Sequence, residues 1–141
     1  MIRILALLLM AFSSFIAQSQ TIETLSQQQL IQRVEQINEL QNNVLMKGST
    51  TKDADTLFAQ YTDDFTYVHG VYGGTYSRKG LFKNTIKYLK EGSYQRTTPR
   101  YKIVQTMTGL NAISVLRKQE NGAIHLSVFE FRGDKVSKII E

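Results

Sequence analysis

The chain has 141 residues, no cysteine and a formal net charge of +5 at pH 7. The lack of cysteine excludes disulfides, thiol catalysis, zinc–thiolate sites and a lipid-anchored cysteine. The 17 Lys and Arg residues are spread along the sequence, and no nucleic-acid-binding module can be read from it, so we expect no nucleic-acid partner.

The N-terminal segment has the pattern of a secretory signal peptide. Arg3 precedes an uncharged apolar run over residues 4–17, which is shorter than the about 20 residues that a transmembrane helix needs. Ala17 and Ser19 are the small residues expected before a cleavage site. We therefore predict a signal peptide over residues 1–19, a mature domain over 20–141, and export to the periplasm or the extracellular space without a stable membrane anchor.

Two helices are predicted at the start of the mature chain. Residues 21–47 contain no Gly or Pro and place apolar residues at every third or fourth position, which indicates an amphipathic helix that ends before Gly48. Thr50 and Asp53 have the spacing of a capping box. This spacing predicts a second, short helix that continues to Tyr61.

A small hairpin and a third helix follow in the sequence. Residues 62–64 predict a turn, and the β-branched and aromatic run at 65–69 predicts a strand. The pair Gly73-Gly74 favours a tight turn into a short returning strand. Ser77 is a suitable N-cap for a helix over about residues 78–90.

The remainder of the sequence alternates with a period of two, which is typical of strands. Strand segments are predicted around 101–104, over 110–120, over 123–131 and over 135–140. Asn121-Gly122 is a strong hairpin signal between the second and the third of them. Helices followed by consecutive strands indicate an α+β fold.

Two segments resemble the nuclear transport factor 2-like (NTF2-like) family, in particular its SnoaL-like and DUF4440-like branches. They are LFAQYTDDFTYVHG at 57–70 and YSRKGLF at 76–82. The resemblance extends over residues 21–141. It implies a cystatin-like cone in which three N-terminal helices pack on a curved antiparallel sheet around a conical pocket. This fold hosts enzymes and binding modules alike.

The resemblance draws attention to His69. In ketosteroid isomerase and polyketide cyclase members, an acidic general base lies at the end of the first strand, and the matching position here is His69. A histidine carries protons near neutral pH. With Tyr67, Tyr72 and Tyr76, it would give the pocket mouth a proton carrier and several hydroxyl donors. The alternative is a histidine bonded at the sheet edge, with tyrosine rings packed at the surface.

Glu130 is a second candidate, because it shares one face of its strand with three apolar residues, Ile124, Leu126 and Val128. If this face is turned toward the cone, Glu130 is a buried carboxylate and a catalytic partner for His69 or for a ligand. If it is turned outward, Glu130 pairs with Arg117 or Lys138 as a surface contact.

Other ionisable residues have weaker patterns. His125 is a candidate for a second histidine in a proton relay, but His69 and His125 alone make a poor metal site, and we expect no metal or cofactor. Asp63 and Asp64 are either paired carboxylates or turn residues. Arg78, at the start of the third helix, is a candidate for holding an anionic group of a ligand.

Three functions remain open from the sequence. The first is binding of a small organic ligand in a conical pocket. The second is a cofactor-independent SnoaL-like isomerase, cyclase or dehydratase, in which His69 moves a proton and a tyrosine hydroxyl or Glu130 steadies the oxyanion. The third is a homodimer or partner-binding module that uses the outer sheet face, with an apolar row such as Ile113 and Val115 exposed on it.

Overall fold

The computed structural model describes residues 24–141, so the predicted signal peptide at 1–19 lies outside the described residues. Helix α1 (Gln27–Leu45) confirms the first amphipathic helix. It begins with a capping box, in which the backbone N–H of Gln29 donates to the Ser26 hydroxyl and the N–H of Ser26 donates to the Gln29 side chain. Within the part of the chain that the structure describes, no helix is long and apolar enough to cross a membrane.

Helix α2 (Thr51–Phe58) follows a short turn in which Gly48 adopts a φ of +87°, a conformation that favours glycine. The predicted partnership of Thr50 and Asp53 is confirmed. The Asp53 carboxylate accepts from the backbone N–H of Thr50 at 2.7 Å and from its hydroxyl at 2.8 Å. The helix ends at Phe58, earlier than the sequence predicted.

Strand β1 (Tyr61–Val68) starts directly after that helix, so the predicted turn at 62–64 is wrong. The strand forms here because Tyr61 pairs with Val136 across the sheet, and long-range pairing overrides the low strand propensity of aspartate. The exposed Asp64 is held by the guanidinium of Arg132 at 2.9 Å. The Asp63 and Asp64 pair therefore lies within a strand and not in a turn.

The predicted hairpin and third helix are confirmed. Strand β2 (Thr75–Ser77) pairs antiparallel with β1, and helix α3 (Arg78–Lys90) follows without an intervening loop. The Ser77 hydroxyl caps α3 by accepting from the N–H of Gly80 at 3.2 Å.

Four strands complete the chain, and consecutive members pair antiparallel through short turns. They are β3 (Lys102–Thr108), β4 (Ala112–Lys118), β5 (Ile124–Arg132) and β6 (Lys135–Ile140). The hairpin predicted at Asn121-Gly122 joins β4 to β5, as expected.

All six strands form one curved sheet in the order β2-β1-β6-β5-β4-β3. The expected antiparallel sheet is mixed, because the last strand, β6, lies parallel to β1. Nor do all three helices precede the strands: α1 and α2 do, whereas α3 follows the small hairpin. The parallel pair joins residues far apart in sequence, so no local pattern announces it.

The hydrophobic core lies between the helices and the inner face of the sheet. Leu30, Val34 and Ile37 of α1 are fully buried in it. Ile113 and Val115 of β4 are also fully buried, so the expectation that they form an outward apolar row is wrong. Alternation along the strand instead turns their neighbours outward. The outer face carries exposed apolar side chains from other positions: Met107, Ile124 and Leu126.

Candidate functional site

A cluster of polar side chains lies on the inner face of the sheet, beneath the helices. Arg117 of β4 and Glu141, which follows β6, form an ion pair with 2.9 Å between Nη2 and Oε2. Their side chains are only 2% and 5% exposed. His125 of β5 places Nδ1 2.8 Å from the second carboxylate oxygen, and the Tyr67 hydroxyl of β1 donates to the first at 2.8 Å. We call these four residues the Arg–Glu cluster.

The strand register explains why these residues meet. Arg117 lies directly opposite His125, so both side chains point to the same face of the sheet. Tyr67 lies opposite Ile139, and Glu141 is two residues after Ile139, which returns it to the same face. Because Ile139 is buried, that face is the inner one.

Arg117 is held from several directions, yet one of its donors is unused. Nη1 donates to the Gln41 side chain of α1 at 2.8 Å, and Nη2 also donates to the Ser127 hydroxyl at 2.8 Å. The guanidinium carbon lies 4.2 Å from the ring centre of Tyr101, in cation–π geometry. The buried Nε–H has no hydrogen-bond partner among the described residues. A buried unpaired donor is costly, so this atom offsets part of the stability that the other Arg117 contacts provide.

His125 is bonded on both ring nitrogens. Its Nε2 lies 2.6 Å from the amide nitrogen of Gln119, which can only donate. With the Gln119 amide donating to Nε2, the ring donates from Nδ1 to Glu141. This arrangement orients the Glu141 carboxylate without requiring a charged imidazole.

The environment fixes the charge state of Glu141 and its neighbours. Burial favours the protonated acid, but Arg117, the Tyr67 hydroxyl and His125 outweigh it, and the pKa of Glu141 is lowered. Burial, together with the adjacent Glu141 charge, raises the pKa of Tyr67, and burial likewise raises that of Tyr101. At neutral pH the Glu141 carboxylate is thus ionised, and the phenols of Tyr67 and Tyr101 are neutral.

A cavity of about 210 Å³ lies between this cluster and the helices. Its floor includes Arg117, Glu141 and Tyr67, and Arg100 contributes a second guanidinium. Its apolar wall comes from α1, α2 and α3, through residues that include Leu45, Leu57, Phe58 and Leu81. The site combines an apolar wall with a few convergent polar groups, as small-molecule sites do. Among residues 24–141, no three His, Asp or Glu side chains are grouped closely enough to hold a metal ion.

The predicted residues around His69 do come together, but mainly outside this cavity. The ring centres of His69 and Tyr72 are 4.6 Å apart, and those of Tyr67 and His69 are 5.6 Å apart. His69 Nδ1 accepts from the backbone N–H of Tyr72 at 3.2 Å. Tyr72 and Tyr76 are 81% and 41% exposed, and of these four residues only Tyr67 lines the cavity.

The structure gives Arg78 a contact within the protein. Its Nε and Nη2 donate to the backbone carbonyl of Phe58 at 3.2 and 2.9 Å, which closes the C-terminal end of α2. Arg78 does not line the cavity. This geometry does not support the predicted contact with an anionic ligand.

Glu130 lies on the outer face of the sheet, because its neighbours Phe129 and Phe131 are buried on the inner one. Its opposite residue on β6 is Lys138, in agreement with the surface alternative. The other surface partner considered, Arg117, is buried on the inner face. A catalytic partnership of Glu130 with His69 is not supported by this placement.

Sequence reasoning missed Arg117, Glu141 and Tyr101 as site residues. A signal was present, because Arg117 continues the alternating row that begins with Ile113 and Val115, and a charge in an apolar row is unusual. His125 was considered as a relay histidine, and it does lie in the cluster, although next to Glu141 and not as a partner of His69.

Comparisons with known proteins support the fold. No protein-family model matches the sequence, and no curated protein does. A SnoaL-like protein of unknown function from Burkholderia thailandensis matches with a TM-score of 0.59 at 15% identity, over 82% of this chain and 95% of that one. An NTF2-like protein of unknown function from Pseudomonas aeruginosa matches with a TM-score of 0.56 at 16% identity, over 79% and 95%.

A third similar structure is that of TerC, co-crystallised with polyporic acid. It matches with a TM-score of 0.54 at 12% identity, over 79% of this chain and 88% of TerC. At such identities the likeness establishes the fold. The resemblance inferred from residues 57–70 and 76–82 is thereby confirmed: this chain has the α+β cone fold of NTF2-like and SnoaL-like proteins.

Proposed function

From this NTF2-like fold and its cavity, we propose that the protein binds a small organic ligand between the Arg–Glu cluster and the three helices. The observation that carries the proposal is the lining of the cavity, in which an apolar wall from three helices faces a few convergent polar groups. TerC, which has the same fold, was co-crystallised with polyporic acid, and this supports the binding of a small organic molecule by a protein of this fold.

The experiment is native mass spectrometry of the protein purified gently from its own host. We expect a co-purifying small molecule in the wild type. Leu81→Trp, which fills the cavity, should emerge without the co-purifying molecule. Leu126→Trp, which adds the same side chain on the outer sheet face, should retain it. A wild type that emerges empty, and whose amide spectrum is unchanged by a library of small organic fragments, would contradict the proposal.

A second candidate is the cofactor-independent isomerase, cyclase or dehydratase considered from the sequence. It is favoured by the contact between the His69 and Tyr67 rings, because the Tyr67 hydroxyl reaches Glu141 inside the cavity. A proton carried by His69 would then lie next to Tyr67, which is a member of the Arg–Glu cluster. His69→Ala separates the two functions: an enzyme loses turnover of the identified ligand, whereas a binding protein retains the ligand with reduced affinity.

We also propose that the protein is exported and that it associates with a second copy of itself. Residues 1–19 support cleavage of a signal peptide and a periplasmic or extracellular location. The exposed Met107, Ile124 and Leu126 on the outer sheet face support a homodimer.

A further inference from the structure

The cavity has more positive than negative charge. Its lining contains two guanidinium groups, those of Arg100 and Arg117, and one carboxylate, that of Glu141. Glu141 already accepts from Arg117, Tyr67 and His125. Little acceptor capacity therefore remains on Glu141 for Arg100, which forms no ion pair within residues 24–141.

The ring of Tyr101 contacts both cations. The guanidinium carbon of Arg117 lies 4.2 Å from its ring centre, and that of Arg100 lies 5.0 Å away. Both distances are within the range of cation–π attraction, so the ring helps to hold each guanidinium in place. Arg117 is paired with Glu141 whereas Arg100 has no such partner among the described residues, so an unbalanced positive charge lines the cavity.

We propose that the ligand is a small monocarboxylate with an apolar body, which rests on the proposed function. Its carboxylate accepts from the guanidinium of Arg100, since planar guanidinium donors match a carboxylate well. Its apolar body packs on Leu57, Phe58 and Leu81. The volume of about 210 Å³ is below the usual range for drug-sized ligands, which restricts the ligand to a small one.

This carboxylate also balances the charge of the site, because it lowers the net charge of the cavity lining from one excess cation to none. A neutral ligand of the same shape would accept from Arg100 through a carbonyl oxygen, but it would leave the charge of Arg100 unbalanced.

The test compares 2-naphthoate with 2-naphthamide, which have the same body and differ in charge. Binding to the full mature chain is followed at pH 7 by titration of the amide spectrum. We expect the naphthoate to bind at least about tenfold more tightly, which corresponds to roughly 1.4 kcal/mol. Arg100→Gln should remove most of this preference, and Arg100→Lys should restore part of it because the charge returns.

Lys102→Gln is the matched control. It removes the same charge from a nearby exposed position that lines a separate groove between α1 and β3, and the preference for naphthoate should persist. Equal binding of the two probes to the wild type would overturn the carboxylate while leaving the proposed function intact. An equal loss in Lys102→Gln would also overturn it, since long-range charge would then be the cause. If neither probe binds, the proposed carboxylate is also overturned. The native mass spectrum then decides the proposed function separately.

Discussion

At the scale of single residues, the buried ion pair of Arg117 and Glu141 is the most consequential contact. Moving two charges out of water is costly, and only good geometry with additional hydrogen bonds repays that cost. Here Gln41, Ser127 and Tyr67 supply those bonds. The pair is therefore a poor source of net stability, but removal of one partner leaves the other charge buried without compensation.

At pH 7 the variant Arg117→Met should lose about 3 kcal/mol of unfolding free energy, because the Glu141 carboxylate is left buried without its cation. Urea unfolding followed by circular dichroism measures the loss. The double variant Arg117→Met, Glu141→Gln is the control and should recover part of the stability, since no charge remains buried. Full stability of the single variant would show that the pair is solvated in solution.

The pH dependence has a definite sign. The pKa of Glu141 in the folded protein is lowered from its ordinary value of 4.5, so its contribution to stability is complete above about pH 4.5 and is lost as the pH falls through the folded pKa. In Glu141→Gln, this part of the decline in unfolding free energy below pH 4.5 should disappear. An unchanged slope in that variant would assign the decline to other carboxylates.

At the scale of elements, local capping bonds define where the first two helices begin. α2 is only eight residues long, and an isolated helix of this length is not stable in water, so its ends matter. Asp53 satisfies the backbone N–H of Thr50, and its negative charge is also favourable in the first turn. Burial of Ala54, Leu57 and Phe58 then holds the helix against the core.

Asp53→Ala should destabilise the protein by about 1 kcal/mol, as loss of a cap generally does. Asp55→Ala is the matched control, because Asp55 is exposed on the same helix. Its effect on the urea midpoint should be small. Equal effects of the two substitutions would mean that net charge, and not the cap, is responsible.

At the scale of the whole molecule, the two faces of the sheet differ in what covers them. The inner face is covered by the helices and the cavity, whereas the outer face exposes Met107, Ile124 and Leu126, which are 69%, 54% and 57% exposed. Leu116 of β4 lies directly across from Leu126, so the apolar surface extends from β5 to β4. A surface of this kind is typical of an interface between subunits.

We expect the wild type to elute as a dimer at micromolar concentration in gel filtration with light scattering. Leu126→Lys should shift it to the monomer mass, because a lysine on each copy would be buried without a partner. Val71→Lys is the control, since Val71 is 79% exposed in the loop between β1 and β2 and should leave the dimer intact. A monomeric wild type would rule out a dedicated dimer face.

The sequence by itself determined the elements with strong local signals. The amphipathic period of α1, the Thr50–Asp53 cap, the Ser77 cap and the Asn121-Gly122 hairpin all depend on interactions within a few residues, so they can be read from the chain. The two motif segments likewise led to the correct fold.

Only the tertiary structure decided where the site lies and which face of the sheet the helices cover. The parallel pairing of β1 with β6 brings Tyr67 beside Glu141, 74 positions later, and the antiparallel pairing of β4 with β5 brings Arg117 beside His125. Alternation within a strand shows which residues share a face, but it does not tell which face is covered. That choice depends on where the helices pack, and it placed Arg117 inside and Glu130 outside.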